Sequence, residues 1–240
     1  ALQWGMHFPI ITEGSSQAAE YVLEDFAVFG TSNSGRTKEL VELFSTLKKA
    51  KHERLFGVTA SPDSVLESIC NRTQVLGCGK EGAVAATKSV VVQALFYHAM
   101  AAGLAGRRTE LRGLPTVSAA LKKALESTID PKIVKAAAKA GRVYFAGRNN
   151  GVAEELTLKT NEITRKPSAF LEGTYAVHGV EEVMEKSDLV VVVDPWPGEL
   201  AKFRECLEKG VGATLVAISD RKLPIPTIQI PVCKNFEAYV

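Results

Sequence analysis

The chain of 240 residues is 46% hydrophobic and 23% charged, with a formal charge of +2, enough apolar material for a full core in one large or two small domains. Lys and Arg are spread among nearly as many acids, which sets nucleic acid aside as a partner. Cys70, Cys78, Cys206 and Cys233 form no CxxC pair and no dense framework, so reduced thiols in a cytoplasmic protein are expected, and no metal.

In chain order, Ala1 to Phe8 lacks the charged start and long apolar run of a secretory signal. The run Phe8 to Thr12 is predicted as a strand, followed by the turn Thr12-Glu-Gly-Ser-Ser16, where Ser15 or Ser16 suits a helix cap. Phe26 to Phe29 are β-formers, and Leu40, Leu43, Phe44 and Leu47 recur at helical spacing between Thr37 and Ala50. The hydroxyl-rich segment Thr31-Ser-Asn-Ser-Gly-Arg-Thr37 therefore turns from strand to helix. Ser32, Ser34 and Thr37 crowd a helix N-terminus, whose free N–H groups and dipole favour an anion, while Gly35 allows close backbone approach. Capping the helix would need one of these hydroxyls; three beside a glycine favour a phosphate cup.

Further strands are predicted at Leu55 to Thr59 and Thr73 to Gly77. Gly82 to Ala105 is rich in Ala, Val and Leu, but Lys88, Gln93 and His98 interrupt it before the ~18 apolar residues of a membrane span accumulate. It reads as a buried helix that its own domain or a second subunit must cover, which raises a dimer and no membrane partner. From Leu111 to Gly141 the pattern is helical, at Val117 to Glu126 and Pro131 to Ala140, so 111–141 is expected to link domains at 1–110 and 142–240. Strands then recur at Val143 to Ala146, Leu189 to Val193, Thr214 to Ile218 and Thr227 to Pro231, with helices around Ala153 to Ile163 and Gly198 to Lys209. This alternation argues for an α/β fold with a parallel sheet. The second half looks like a copy of the first, but Asp194-Pro-Trp-Pro-Gly198 replaces the hydroxyl loop.

Four segments, Ser32-Asn-Ser-Gly-Arg-Thr37, Lys80-Glu-Gly-Ala-Val-Ala-Ala-Thr-Lys88, Asn161-Glu-Ile-Thr164 and His178-Gly179, occur in the order and at the spacing of the sugar isomerase (SIS) domain proteins. Over nearly its whole length the chain resembles their tandem-domain type, which includes the isomerase half of glucosamine-6-phosphate synthase and the AgaS-like phosphosugar isomerases. The resemblance implies two SIS domains, each a three-layer α/β/α sandwich on a mainly parallel, flavodoxin-like sheet. It implies that Ser32, Ser34 and Thr37 bind a sugar phosphate, that Ser15 and Ser16 touch the phosphate or the sugar hydroxyls, and that Glu81, Val84 and Ala86 line the sugar site. Lys88 would serve the helix or a dimer.

Glu162 matches the family's catalytic glutamate, which moves a proton between C1 and C2 through a cis-enediol; a carboxylate partly shielded from water suits that task. His178, sixteen positions later, matches the histidine that opens the sugar ring from the neighbouring subunit, a task for a side chain titrating near neutrality. Without the family, Glu162 is a solvated helix glutamate like Glu154 and Glu155, His178 a loop residue, and the alanines around Val84 tight helix packing. Two departures stand out: Arg36 where the loop commonly carries Glu, and Thr174-Tyr-Ala-Val177 where Gly-Glu-Leu-Lys is usual. A C-terminal lysine of the family has no counterpart before Val240, and the stretch from Ser16 to Phe26 is short for a strand and helix, so part of the first domain is expected to be missing.

The implied function is a phosphosugar isomerase, without metal, nucleotide or other cofactor, working as a homodimer with a shared active site. An amino-sugar phosphate deaminase lies close in chemistry. A regulatory SIS protein that binds sugar phosphate without turnover would keep the same cup. A nucleotide-binding Rossmann protein fares worst, since no strand is followed by Gly-x-Gly-x-x-Gly.

Overall fold

The computed structural model describes residues 5–7, 9–79, 81–148 and 150–240. Phe8 of the first expected strand, Lys80 of the Lys80-to-Lys88 segment, and Asn149 lie outside the described residues. The chain divides into two compact units, Ala1–Leu111 and Arg112–Val240, and both are α/β assemblies on parallel sheets.

The first unit runs α1 (Ser15–Ala18), β1 (Val28–Thr31), α2 (Lys38–Lys49), β2 (Leu55–Thr59), α3 (Val65–Ile69), β3 (Arg72–Val75) and α4 (Lys88–Leu104). Its strands lie in the order β1-β2-β3, with Val28 opposite Leu55 and Phe56 opposite Arg72. The helical spacing of Leu40, Leu43 and Phe44 puts them on one face of α2, where they cluster with Leu55 of β2 and Leu66 of α3. Phe44 is fully buried, a burial that stabilises this unit by about 2–3 kcal/mol. On the other face Phe29 and Phe56 stack at 4.8 Å between ring centroids. Phe96 of α4 joins them with Arg72 and Gln74 around a shallow cavity of about 210 Å³.

The second unit runs α5 (Leu114–Leu125), α6 (Pro131–Lys139), β4 (Val143–Gly147), α7 (Val152–Lys159), β5 (Ser168–Glu172), β6 (Leu189–Val193), α8 (Leu200–Phe203), β7 (Thr214–Ser219) and β8 (Thr227–Gln229). Helices α7 and α8 continue into π-helical turns, Thr160–Thr164 and Arg204–Val211. The sheet order is β5-β4-β6-β7-β8. Every residue of Leu189-Val-Val-Val-Val193 is buried because a central parallel strand is covered on both faces. Val190 and Val192 point into a core with Phe203 and Leu207, while Leu189, Val191 and Val193 point into another with Ile133 of α6 and Ala153 of α7. The neighbouring strand ends approach closely at Gly147, where φ is +138° and an added Cβ would fall 2.2 Å from the Val193 carbonyl oxygen.

Several expected elements shift. Pro9 to Thr12 form no strand; Pro9 has no N–H to give a ladder, and Ile10 and Ile11 stay exposed. The strand expected at Phe26 to Phe29 begins at Val28, whose N–H reaches the Arg54 carbonyl at 2.9 Å, because the Phe26 N–H is taken by a turn to Leu23. The strand expected from Thr73 occupies Arg72–Val75. The long apolar helix starts only at Lys88 and buries just Ser89 and Ala102 fully, so its expected burial is partial. The helices expected to reach Ile163 and Lys209 widen into π-turns, and α3 and β5 were not anticipated. Among the described residues no helix is long and apolar enough to cross a membrane.

Candidate functional site

The hydroxyl loop joins β1 to α2. Gly35 turns it at φ +62°, in the left-handed region that L side chains rarely enter. Its neighbours fix the turn: the Gly35 N–H donates to the Ser32 carbonyl at 3.1 Å, and the Gly35 carbonyl accepts from Leu66 N–H at 3.0 Å. The Asn33 carbonyl anchors the loop to the end of β2, accepting from Ala60 N–H at 3.1 Å, from the Thr59 hydroxyl at 3.2 Å and from the Ser61 hydroxyl at 3.1 Å. Ser32, buried, shares a hydrogen bond of 2.7 Å with the Thr37 hydroxyl. Ser34 Oγ accepts from the Arg36 N–H at 3.2 Å. Thr37 stands at the start of α2 but makes no side-chain cap, and Asn33 Oδ1 is buried without a partner among the described residues. The loop thus brings the Ser32 and Thr37 hydroxyls together, while Ser34, in the same turn, bonds the backbone of Arg36.

The other first-unit residues are placed differently. Ser15 and Ser16 lie in the first turn of α1, which Gly14 precedes without a side-chain cap, and neither makes a hydrogen bond with the cup. Glu81 is the anion at the start of α4: it accepts from the N–H groups of Thr87, Lys88 and Ser89 at 3.0, 3.1 and 3.2 Å and from the Thr87 and Ser89 hydroxyls. The Ser89 hydroxyl above all, with the backbone donors, lowers its pKa to about 2. Val84 is fully exposed on the intervening loop, and Ala86 is half-buried.

In the second unit, Glu162 lies on the π-helical turn after α7 and is exposed. Lys159 Nζ donates to its Oε2 at 2.6 Å and reaches Glu155 Oε1 at 3.4 Å. Helical spacing brings the three side chains to one face. Burial pulls the Lys159 pKa down, but the hydrogen bond it donates to Glu162 and the charges of Glu155 and Glu162 outweigh it and raise the value. Lys159 is therefore a persistent cation between two carboxylates. The i, i+4, i+7 pattern of Glu155, Lys159 and Glu162 was readable in the sequence, yet Lys159 was not among the expected site residues. His178 follows a short 3₁₀ turn, Tyr175–Val177. Its Nε2 lies 3.3 Å from Lys202 Nζ; an ammonium only donates, so Nε2 accepts and the ring proton sits on Nδ1. Glu162 and His178 are not hydrogen-bonded to each other, since each faces its own lysine. The loop Asp194 to Gly198 is held by ion pairs from Asp194 to Arg148 at 2.7 Å and to Arg221 at 2.9 Å, with Arg148 over the Trp196 ring at 5.0 Å.

No family model matches the chain. The glutamine–fructose-6-phosphate aminotransferase (isomerizing) of Aeropyrum pernix is 30% identical over 216 residues, 83% of this chain and 34% of that protein. The chain thus spans about a third of that relative's length. Among solved structures, the C-terminal domain of glucosamine-fructose-6-phosphate aminotransferase from Francisella tularensis superposes with a TM-score of 0.72 at 21% identity, covering 94% of this chain and 70% of that one. Glucosamine-6-phosphate deaminase from Thermotoga maritima gives 0.70 at 23% identity, with the same coverage of 94% and 70%. Tagatose-6-phosphate ketose/aldose isomerase from Escherichia coli gives 0.68 at 19%, covering 88% and 63%. In fold, the chain's structural neighbours are SIS-domain phosphosugar isomerases, among them the C-terminal domain of glucosamine-fructose-6-phosphate aminotransferase.

Proposed function

We propose that the chain carries two SIS domains, at 1–110 and 142–240 with a helical linker over 111–141, and interconverts the aldose and ketose forms of a phosphorylated sugar or amino sugar. The observation that carries this reading is the Ser32–Thr37 loop, where the Ser32 and Thr37 hydroxyls share a hydrogen bond and Thr37 makes no side-chain cap at the start of α2, a helix N-terminus of the kind that favours an anion. In this reading Ser32, Ser34 and Thr37 hold the phosphate, Ser15 and Ser16 approach it or the sugar hydroxyls, and Glu81 orders the Val84 to Ala86 loop against the sugar.

Glu162 takes the proton from C2 of the open aldose. The electrons of that C–H bond form the C1=C2 bond of a cis-enediolate, the same carboxyl returns the proton to C1, and the hydroxyl proton passes from O2 to O1. Lys159, fixed as a cation beside Glu162, offsets the negative charge that develops on the oxygens. His178, accepting at Nε2, moves the proton that opens the ring. The half-buried apolar helix α4 supports a homodimer, which a monomer in sedimentation at high concentration would remove.

The test is incubation with fructose 6-phosphate, tagatose 6-phosphate and glucosamine 6-phosphate in deuterated water, with exchange at C1 of the two ketoses and at C2 of the amino-aldose followed by NMR. Exchange that Glu162→Gln abolishes supports the isomerase. Exchange by Glu162→Gln at the wild-type rate sinks the assignment of the base. The deaminase named above favours a second reading, which ammonia release from glucosamine 6-phosphate would establish; tight binding with no exchange across the panel would make the protein a sensor.

A further inference from the structure

We propose that Arg36 is the charge-bearing residue of the cup and binds the ligand's phosphate, an assignment that rests on the Ser32–Thr37 loop being a phosphosugar site. The cup's other donors are neutral: the Ser32, Ser34 and Thr37 hydroxyls and backbone N–H groups. Neutral donors orient an anion but do not match its charge. Arg36 stands between Gly35 and Thr37, and its N–H is tied to Ser34 Oγ at 3.2 Å, so its backbone is fixed within the loop. Its side chain is exposed, and among the described residues no carboxylate forms an ion pair with it.

Two of the charged groups on the adjoining segments are engaged elsewhere. Lys38 in the first turn of α2 pairs with Glu42 at 3.8 Å, and Glu67 of α3 accepts from the Asp63 N–H at 2.8 Å; Glu39 and Asp63 are the remaining carboxylates on those elements. An arginine without a carboxylate, beside an uncapped helix start, presents a planar fork of donors that fits phosphate oxygens two at a time. On the phosphosugar reading, the guanidinium therefore meets the phosphate rather than the sugar.

Calorimetry with fructose 6-phosphate and with inorganic phosphate tests the assignment on the full chain, with circular dichroism checking that each variant is folded. Arg36→Gln is expected to weaken both ligands by about 10- to 30-fold. Arg36→Lys, which keeps the charge and loses the fork, is expected to weaken them by about threefold to fivefold. In turnover the loss should appear in KM with kcat nearly unchanged, because the phosphate contact is equal in ground and transition states. Ser34→Ala tests the cup itself. If Ser34→Ala loses binding while Arg36→Gln keeps it within twofold, Arg36 is not a phosphate ligand and the cup stands. If wild type binds neither probe, the cup assignment falls and the Arg36 proposal with it.

Discussion

Replacing Gly35 by alanine should loosen the whole β1–α2 turn. At φ +62° a side chain costs about 1–2 kcal/mol in the left-handed region. The new Cβ would also fall 2.4 Å from Ser64 Oγ, 2.5 Å from Ser64 Cβ and 3.0 Å from Thr59 Oγ1, so Ser64 must move. Ser64 caps α3 by accepting from the Glu67 N–H, and losing such a cap costs about 1 kcal/mol. Together these give about 2–3 kcal/mol of local destabilisation. Hydrogen exchange read by mass spectrometry should show amides of α3 and of the loop exchanging about 30- to 150-fold faster, while peptides from β6 and β7 in the other unit stay at the wild-type rate. Gly77→Ala is the control, since its Cβ would meet nothing within 4 Å. Exchange in α3 within threefold of wild type would refute the claim that Gly35 is held by steric necessity.

Other outcomes follow from single interactions. Phe44→Ala, at a fully buried position, should destabilise the first unit by about 3–5 kcal/mol in chemical denaturation. Lys159→Met removes the cation shared by Glu155 and Glu162 and should lower the rate of carbon-bound hydrogen exchange, at C1 of a ketose or C2 of an aldose, by about 100-fold or more; a drop under threefold would make the lysine a surface ion pair. Burial raises the Cys70 pKa to about 11, against smaller lowering effects from the Thr73 hydrogen bond and Lys48. The unfolded chain ionises first as pH climbs past 9, so the stability this thiol leaves intact below that pH is lost between 9 and 11. Iodoacetamide should accordingly label half-exposed Cys78 and Cys206 before buried Cys70 and Cys233. Glu81, with its pKa lowered to about 2, contributes stability that is present above its ordinary value and lost as pH falls through about 2. Amide protection at the start of α4 should therefore persist to pH 3 in wild type and be lost at pH 7 in Glu81→Gln.

The strands Leu55–Thr59 and Leu189–Val193 were legible to the residue because each is a short, mostly apolar run inside its sheet, with Thr59 the one polar residue between them. β1 was legible as an element but not in its limits: Phe26 is hydrophobic yet exposed, and only the bond from Val28 to Arg54 decides where pairing starts. β5 was missed because Ser168–Glu172 follows Pro167 and is half-buried at a sheet edge, without a period strong enough to read. In the site, the hydroxyl loop was legible from residue types alone, since three hydroxyls and a glycine have few ways to share one turn. The lysine beside His178 was not, because Lys202 reaches it across 24 positions of chain, whereas Lys159 lay within helical reach of Glu162 and was passed over.

The carboxylate of Glu81 gives the two long helices of the first unit opposite fates. At α4 the chain supplies its own anion, so a phosphate arriving there would compete with a resident group already bound by five donors. At α2, among the described residues, the N-cap side chain makes no such bond. If the proposed function holds, a guest anion is steered to the helix start that the chain does not neutralise with a carboxylate of its own.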